Sequence, residues 1–70
     1  MEIKLGTYRH FKGNLYEVIG IAHHSETMEP MVVYRALYGA HGLWVRPASM
    51  WNEIVEKDDY HGPRFQYITE

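Results

Sequence analysis

The chain has 70 residues, a formal net charge of -2 and no cysteine, which excludes disulfide staples and thiolate zinc sites. At this length one small core holds the fold with only a few kcal/mol of net stability, so a large internal cavity is excluded as well. A pI near 6.2 excludes the global basic field behind non-specific nucleic-acid binding and leaves only local basic patches.

The N-terminal MEIKLGTYRH has no apolar run of signal-peptide length, and no window reaches the ~20 apolar residues of a membrane-spanning helix. The expectation is a cytoplasmic protein with no membrane partner. Residues 7–11 (TYRHF) and 15–22 (LYEVIGIA) then read as strands, and Gly13-Asn14 between them predicts a tight hairpin. Gly20, inside the second run, marks a bulge or sharp bend. After the polar segment 23–30 comes 31–38, MVVYRALY, an apolar, β-branched and aromatic run with one charge, Arg35, at its centre. GAHG at 39–42 turns the chain into 43–46, LWVR.

Residues 47–55, PASMWNEIV, carry two periods at once. Met50, Trp51, Ile54 and Val55 fall on one helical face, while Trp51, Glu53 and Val55 alternate as in a strand. Pro47 suits a first helical turn, so a short helical turn leading into a strand is expected. KDDYHGP at 57–63 reads as a turn and 64–68, RFQYI, as the last strand. Without a helix of crossover length, five short strands call for an antiparallel meander. The expected fold is mainly β, a small antiparallel SH3-like barrel of about five strands with one short helical turn, forming a single domain over residues 1–70.

The charges are segregated. Lys4, Lys12 and Lys57 sit near the N-terminus or in turns, whereas Arg9, Arg35, Arg46 and Arg64 sit in or at the start of strands, each close to an aromatic: Tyr8, Tyr34, Trp44 and Phe65. Neighbours in a strand point to opposite faces, so Tyr8/Arg9, Tyr34/Arg35 and Arg64/Phe65 put rings on one side and guanidiniums on the other, while Trp44 and Arg46 share a face. Arg binds carboxylate or phosphate bidentately and stacks on rings, so one reading gathers the four arginines into a single anion site. The other makes them structural ion pairs, with Glu17 as the cross-strand partner of Arg35.

His23, His24, Ser25, Glu26 and Thr27 form a polar string without the spacing that puts two imidazoles on one face, and no metal site is expected. Ser25 has no base placed to activate it, and the segment reads as a loop held by local side-chain to backbone bonds. The acidic stretch Glu53, Glu56, Asp58 and Asp59 reads as a solvated face. No glycine-rich phosphate loop is present.

Taken in order, YRHFKGNLYEV, HSET, VVYRALYG, LWVRP and PRF resemble a family of small bacterial proteins and domains classed only as a domain of unknown function. The resemblance spans about residues 6–68. It implies a compact, mostly β domain of bacterial origin with no established catalytic set. Tyr8, Arg9, His10, His24, Ser25, Glu26, Thr27, Tyr34, Arg35, Trp44, Arg46, Pro47, Arg64 and Phe65 fall inside its strings without assigned roles. Phe11 stands where such sequences often carry Tyr.

The leading functional expectation is a binding module for an anionic or planar ligand, such as a nucleotide, a short RNA or a carboxylate, held by Arg35, Arg46, Trp44, Tyr34, Arg9, Arg64 and His24. No cofactor is expected, and the protein is a monomer or homodimer. The alternatives are a peptide or protein interaction domain, and a small enzyme on a nucleotide or sugar with His24 or His10 as base.

Overall fold

The computed structural model describes residues 3–70. Seven strands alternate along it: β1 (Gly6–His10), β2 (Leu15–His23), β3 (Pro30–Ala36), β4 (Leu43–Pro47), β5 (Ile54–Lys57), β6 (Tyr60–Pro63) and β7 (Phe65–Thr69). One 3-10 turn (Ala48–Met50) separates β4 from β5. The strands form a five-stranded sheet in the order β4-β3-β2-β1-β7 and a two-stranded ribbon of β5 and β6, with every ladder antiparallel. The protein is thus mainly β, with one short helical turn where the Pro47 segment predicted it.

Local chemistry explains the joints. The β1–β2 hairpin closes through His10 N–H to Asn14 O (2.8 Å) and Gly13 N–H to His10 O (2.7 Å), with Gly13 at φ 105°. Glycine occupies such a φ without the Cβ clash other residues meet. The β2–β3 register shifts between Val18 and Gly20, the bulge that Gly20 announced. A bulge adds local twist and bends a sheet. Gly6, at φ 130°, is required for a second reason: a Cβ there would lie 2.6 Å from Thr69 O.

The 3-10 turn delivers Trp51 to the centre of the core. Trp51 is 0% exposed, lies flat on Phe65 (centroids 3.9 Å apart, planes within 4°) and meets Tyr34 and Tyr8 edge-on at 5.0 and 5.4 Å. Tyr8, Val18 and Val32 complete the buried cluster. Tyr8 keeps its hydroxyl satisfied by donating to Lys4 O (2.8 Å).

One expectation needs correction. Residues 57–63 are a second hairpin rather than a single turn: Asp58 reverses the chain at φ 54°, and Tyr60–Pro63 pairs with Ile54–Lys57. Tyr60 secures this ribbon by stacking on Phe11 (5.6 Å, 23°) and donating its hydroxyl to Pro63 O (2.6 Å). In residues 47–55 the expected helical turn leading into a strand forms, and of the two periods there the strand alternation prevails over the helical face of Met50, Trp51, Ile54 and Val55. Trp51 and Val55 are buried while Met50 and Ile54 are exposed, because the helical turn ends at Met50 and strand alternation takes over.

Candidate functional site

Residues paired directly across an antiparallel ladder share a face, so the registers sort the candidates. Tyr8, Tyr16 and Ala36 form one row, Val18, Tyr34 and Trp44 the next, and Val32 pairs with Arg46. His10 pairs with Phe65. These residues line the inner face, which carries the core. On the outer face Arg9 lies opposite Leu15, and Arg35 lies between Glu17 and Leu43. The predicted separation of rings from guanidiniums holds for Tyr8/Arg9 and Tyr34/Arg35. It also means that the four arginines do not converge, because Arg9 and Arg35 are a sheet's thickness from Arg46.

Arg46 is the arginine set among the rings. Its guanidinium lies 5.9 Å from the Phe65 ring centre, and its charge bears on the Tyr34 hydroxyl. Its Nε is shut off from solvent without a hydrogen-bond acceptor, and no ion pair engages Arg46 among the described residues. Arg64, next in sequence to Phe65, lies 5.9 Å from the Phe11 ring centre. Its Nε is 3.3 Å from Glu53 Oε1, near enough for an ion pair but misaligned for a hydrogen bond.

Around them are donors that stay neutral. His10 packs against Phe11 (4.6 Å) and Phe65 (5.0 Å). Burial holds its pKa below the usual histidine value, and Arg64, Lys12 and Arg46 add to the effect. Its Nδ1 accepts the Lys12 backbone N–H (3.2 Å), so the neutral ring carries its proton on Nε2. The Tyr16 and Tyr38 hydroxyls are 2.6 Å apart. Burial, reinforced by that bond, pushes the Tyr16 hydroxyl up to about 12, and burial raises Tyr34 against the opposing charge of Arg46. The Tyr16 and Tyr34 hydroxyls therefore remain protonated at neutral pH. Trp44 stands at the rim, 58% exposed.

The remaining candidates lie apart. Glu17 and Arg35 are direct cross-strand partners as predicted, yet they form no ion pair among the described residues. His24 is turned to its own loop: its Nδ1 accepts N–H from Glu26 (3.2 Å) and Thr27 (3.4 Å), and Thr27 Oγ1 accepts from Glu29 (3.2 Å). A loop held by local side-chain to backbone bonds is the expectation for Ser25, Glu26 and Thr27; Thr27 makes one such bond and His24 supplies the others, in a turn where Met28 takes φ 65°. A groove of about 600 Å³ lined by Lys4, Leu5, Gly6, Glu17, Val18, Ile19 and Glu70 sets two carboxylates against one ammonium and does not suit an anion. No group of three potential metal ligands occurs among the described residues, and no helix there is long and apolar enough to cross a membrane.

Sequence reasoning placed Trp44 and Arg46 on one face and Tyr34 on the face opposite Arg35; it named His10 only as a possible base of an enzyme, and left out Tyr16 and Tyr38. The signal for His10 and Tyr16 was present: His10 alternates with Arg9 as Tyr8 does, and the hairpin brings Tyr16 opposite Tyr8. Tyr38 joins only through the β2–β3 fold.

The family model described as "Protein of unknown function (DUF1653)" matches residues 6–67. Among solved structures, the chain is similar to a crystal structure of a protein from Bordetella bronchiseptica belonging to DUF1653, with 39% identity and a TM-score of 0.88, covering 96% of this chain and 88% of that one. No curated protein matches the chain. With the model spanning nearly the whole fold, this chain belongs to the DUF1653 family of proteins of unknown function.

Proposed function

We propose that the domain is a binding module, SH3-like in outline and working in the bacterial cytoplasm, that holds a planar anionic ligand such as a nucleotide or short single-stranded RNA on its inner face. Arg46 is the central cation, Tyr34 and Trp44 are the aromatic surfaces, and Arg64 and His10 stand at the margin. Arg9, Arg35 and His24, by their placement, are outside this contact. The observation that carries the reading is the state of Arg46: its guanidinium is set over an aromatic ring, and among the described residues its Nε is enclosed without an acceptor and no carboxylate pairs with it. A cation left unpaired beside apolar groups costs stability. Functional groups are commonly kept at that expense. Guanidinium and aromatic planes together accept a base by stacking and a phosphate by bidentate bonds. The bacterial source of the similar structure agrees with the setting.

The test is a titration of adenosine monophosphate and a short oligouridylate, followed by tryptophan fluorescence. Binding that weakens with added salt and is lost in Arg46→Met supports the reading. A proline-rich peptide that binds without salt dependence, with nucleotides inert, overturns it in favour of peptide recognition.

A further inference from the structure

The edge of β4 is built to pair with itself. Leu43, Trp44 and Val45 are 59%, 58% and 60% exposed, three successive large apolar residues on a strand whose sole ladder among the described residues is with β3. The free backbone groups can be assigned. Ala36 N–H donates to Gly42 O (3.0 Å), and hydrogen-bonded pairs alternate along an antiparallel ladder. Gly42, Trp44 and Arg46 therefore direct their N–H and C=O groups towards β3. Leu43 and Val45 direct theirs outward. Edge strands normally carry charges or prolines that discourage pairing, but β4 has none before Arg46, and Pro47 comes only at its end.

We propose that two copies of this chain associate through β4, antiparallel, about a two-fold axis at Trp44. That register sets Leu43 opposite Val45 of the partner subunit, so the outward N–H and C=O groups of both residues are satisfied on both copies. It also sets Trp44 opposite Trp44 of the partner subunit on the inner face, a non-hydrogen-bonded pair in which side chains approach closely. Leu43 and Val45 meet their counterparts on the outer face. Arg46 comes opposite Gly42 of the partner subunit, and the two Arg46 positions stand about 13 Å apart along the strands, so no like charges oppose each other. A second copy is the occupant because the order Leu-Trp-Val supplies both halves of this match.

The exposed fractions of these three residues correspond to at most about 700 Å² over both copies, below the standard size of specific interfaces, which fits a weak, reversible dimer rather than a permanent one. The pairing also brings Trp44 of the partner subunit diagonal to Arg46, within reach of a long side chain. It thereby adds a second aromatic to the inner face. The inference stands whether or not a nucleotide binds there.

The experiment is sedimentation equilibrium of the full chain from about 10 μM to 1 mM, with amide hydrogen exchange at both ends of the range. The expected result is a mass rising from 8.3 kDa towards twice that value, with the Leu43 and Val45 amides gaining protection as concentration rises. Val45→Lys, which puts a charge on the edge, should stay monomeric. Should it fail to fold, Leu43→Pro serves instead, since it removes an outward donor and no bond to β3. A parent chain that stays at monomer mass to 1 mM overturns the proposal. So does a dimer whose Leu43 and Val45 amides remain unprotected, or one that Val45→Lys and Leu43→Pro leave intact.

Discussion

Replacing Arg46 with Met should leave stability unchanged or raise it. Met keeps the apolar stem that packs beside Phe65 and removes the guanidinium. The loss is a cation-π contact at 5.9 Å, about 0.5–1 kcal/mol. The gain is release of an enclosed Nε without an acceptor, about 1–3 kcal/mol for a buried unsatisfied donor. The balance is a net stabilisation of about 0–2.5 kcal/mol. For a domain of this size 1 kcal/mol moves the midpoint by about 4–8 °C. Thermal unfolding by circular dichroism at pH 7.5 should therefore show a midpoint equal to the parent's or higher by several degrees. A fall of more than about 8 °C would refute the reasoning, for it would make Arg46 a structural partner.

Three further outcomes follow from the same geometry. Trp51→Ala should remove about 3–5 kcal/mol, comparable to the whole stability of such a domain; a variant still folded at 25 °C by circular dichroism would contradict the central place given to this ring. The double-mutant cycle of Glu17→Gln and Arg35→Met should show coupling below about 0.5 kcal/mol, since the pair is aligned in register without an ion pair, and coupling above about 1.5 kcal/mol would reveal one in solution. His10 has a folded pKa below its unfolded value of 6.5, so above pH 6.5 both states are neutral and nothing is lost. As pH falls through 6.5 the unfolded chain takes up its proton first, and stability drops until the folded pKa is passed. Urea midpoints should accordingly fall less between pH 7.5 and 5.5 in His10→Gln than in the parent, and equal falls would exclude His10 as a source of acid sensitivity.

Much of the fold was legible because strand alternation and turn chemistry are local. Gly13 marked the first hairpin, Gly20 the bulge, and Pro47 the helical turn. What escaped depends on distant partners. Tyr60–Pro63 looked like a turn because Asp, Gly and Pro crowd it; it is a strand by pairing with Ile54–Lys57, and the stack of Tyr60 on Phe11, far away in sequence, secures that ribbon. The site was partly legible for the same reason. Alternation placed Arg35 opposite Glu17 and Arg46 beside Trp44, but the idea of one four-arginine site overlooked that Arg9 and Arg35, one residue after buried or half-buried tyrosines, must face away from Arg46. That no ion pair joins Glu17 to Arg35 depends on rotamers, which spacing does not reveal.

The central claim is that the inner face around Arg46 receives the ligand. The most direct test is a two-dimensional NMR titration of the labelled protein with adenosine monophosphate, following backbone amides, the Trp44 indole and the His10 ring. The account predicts shifts confined to His10, Tyr34, Trp44, Arg46 and Phe65, abolished in Arg46→Met. Shifts centred on Arg9 and Arg35 instead, or a spectrum unmoved at millimolar nucleotide, would contradict it.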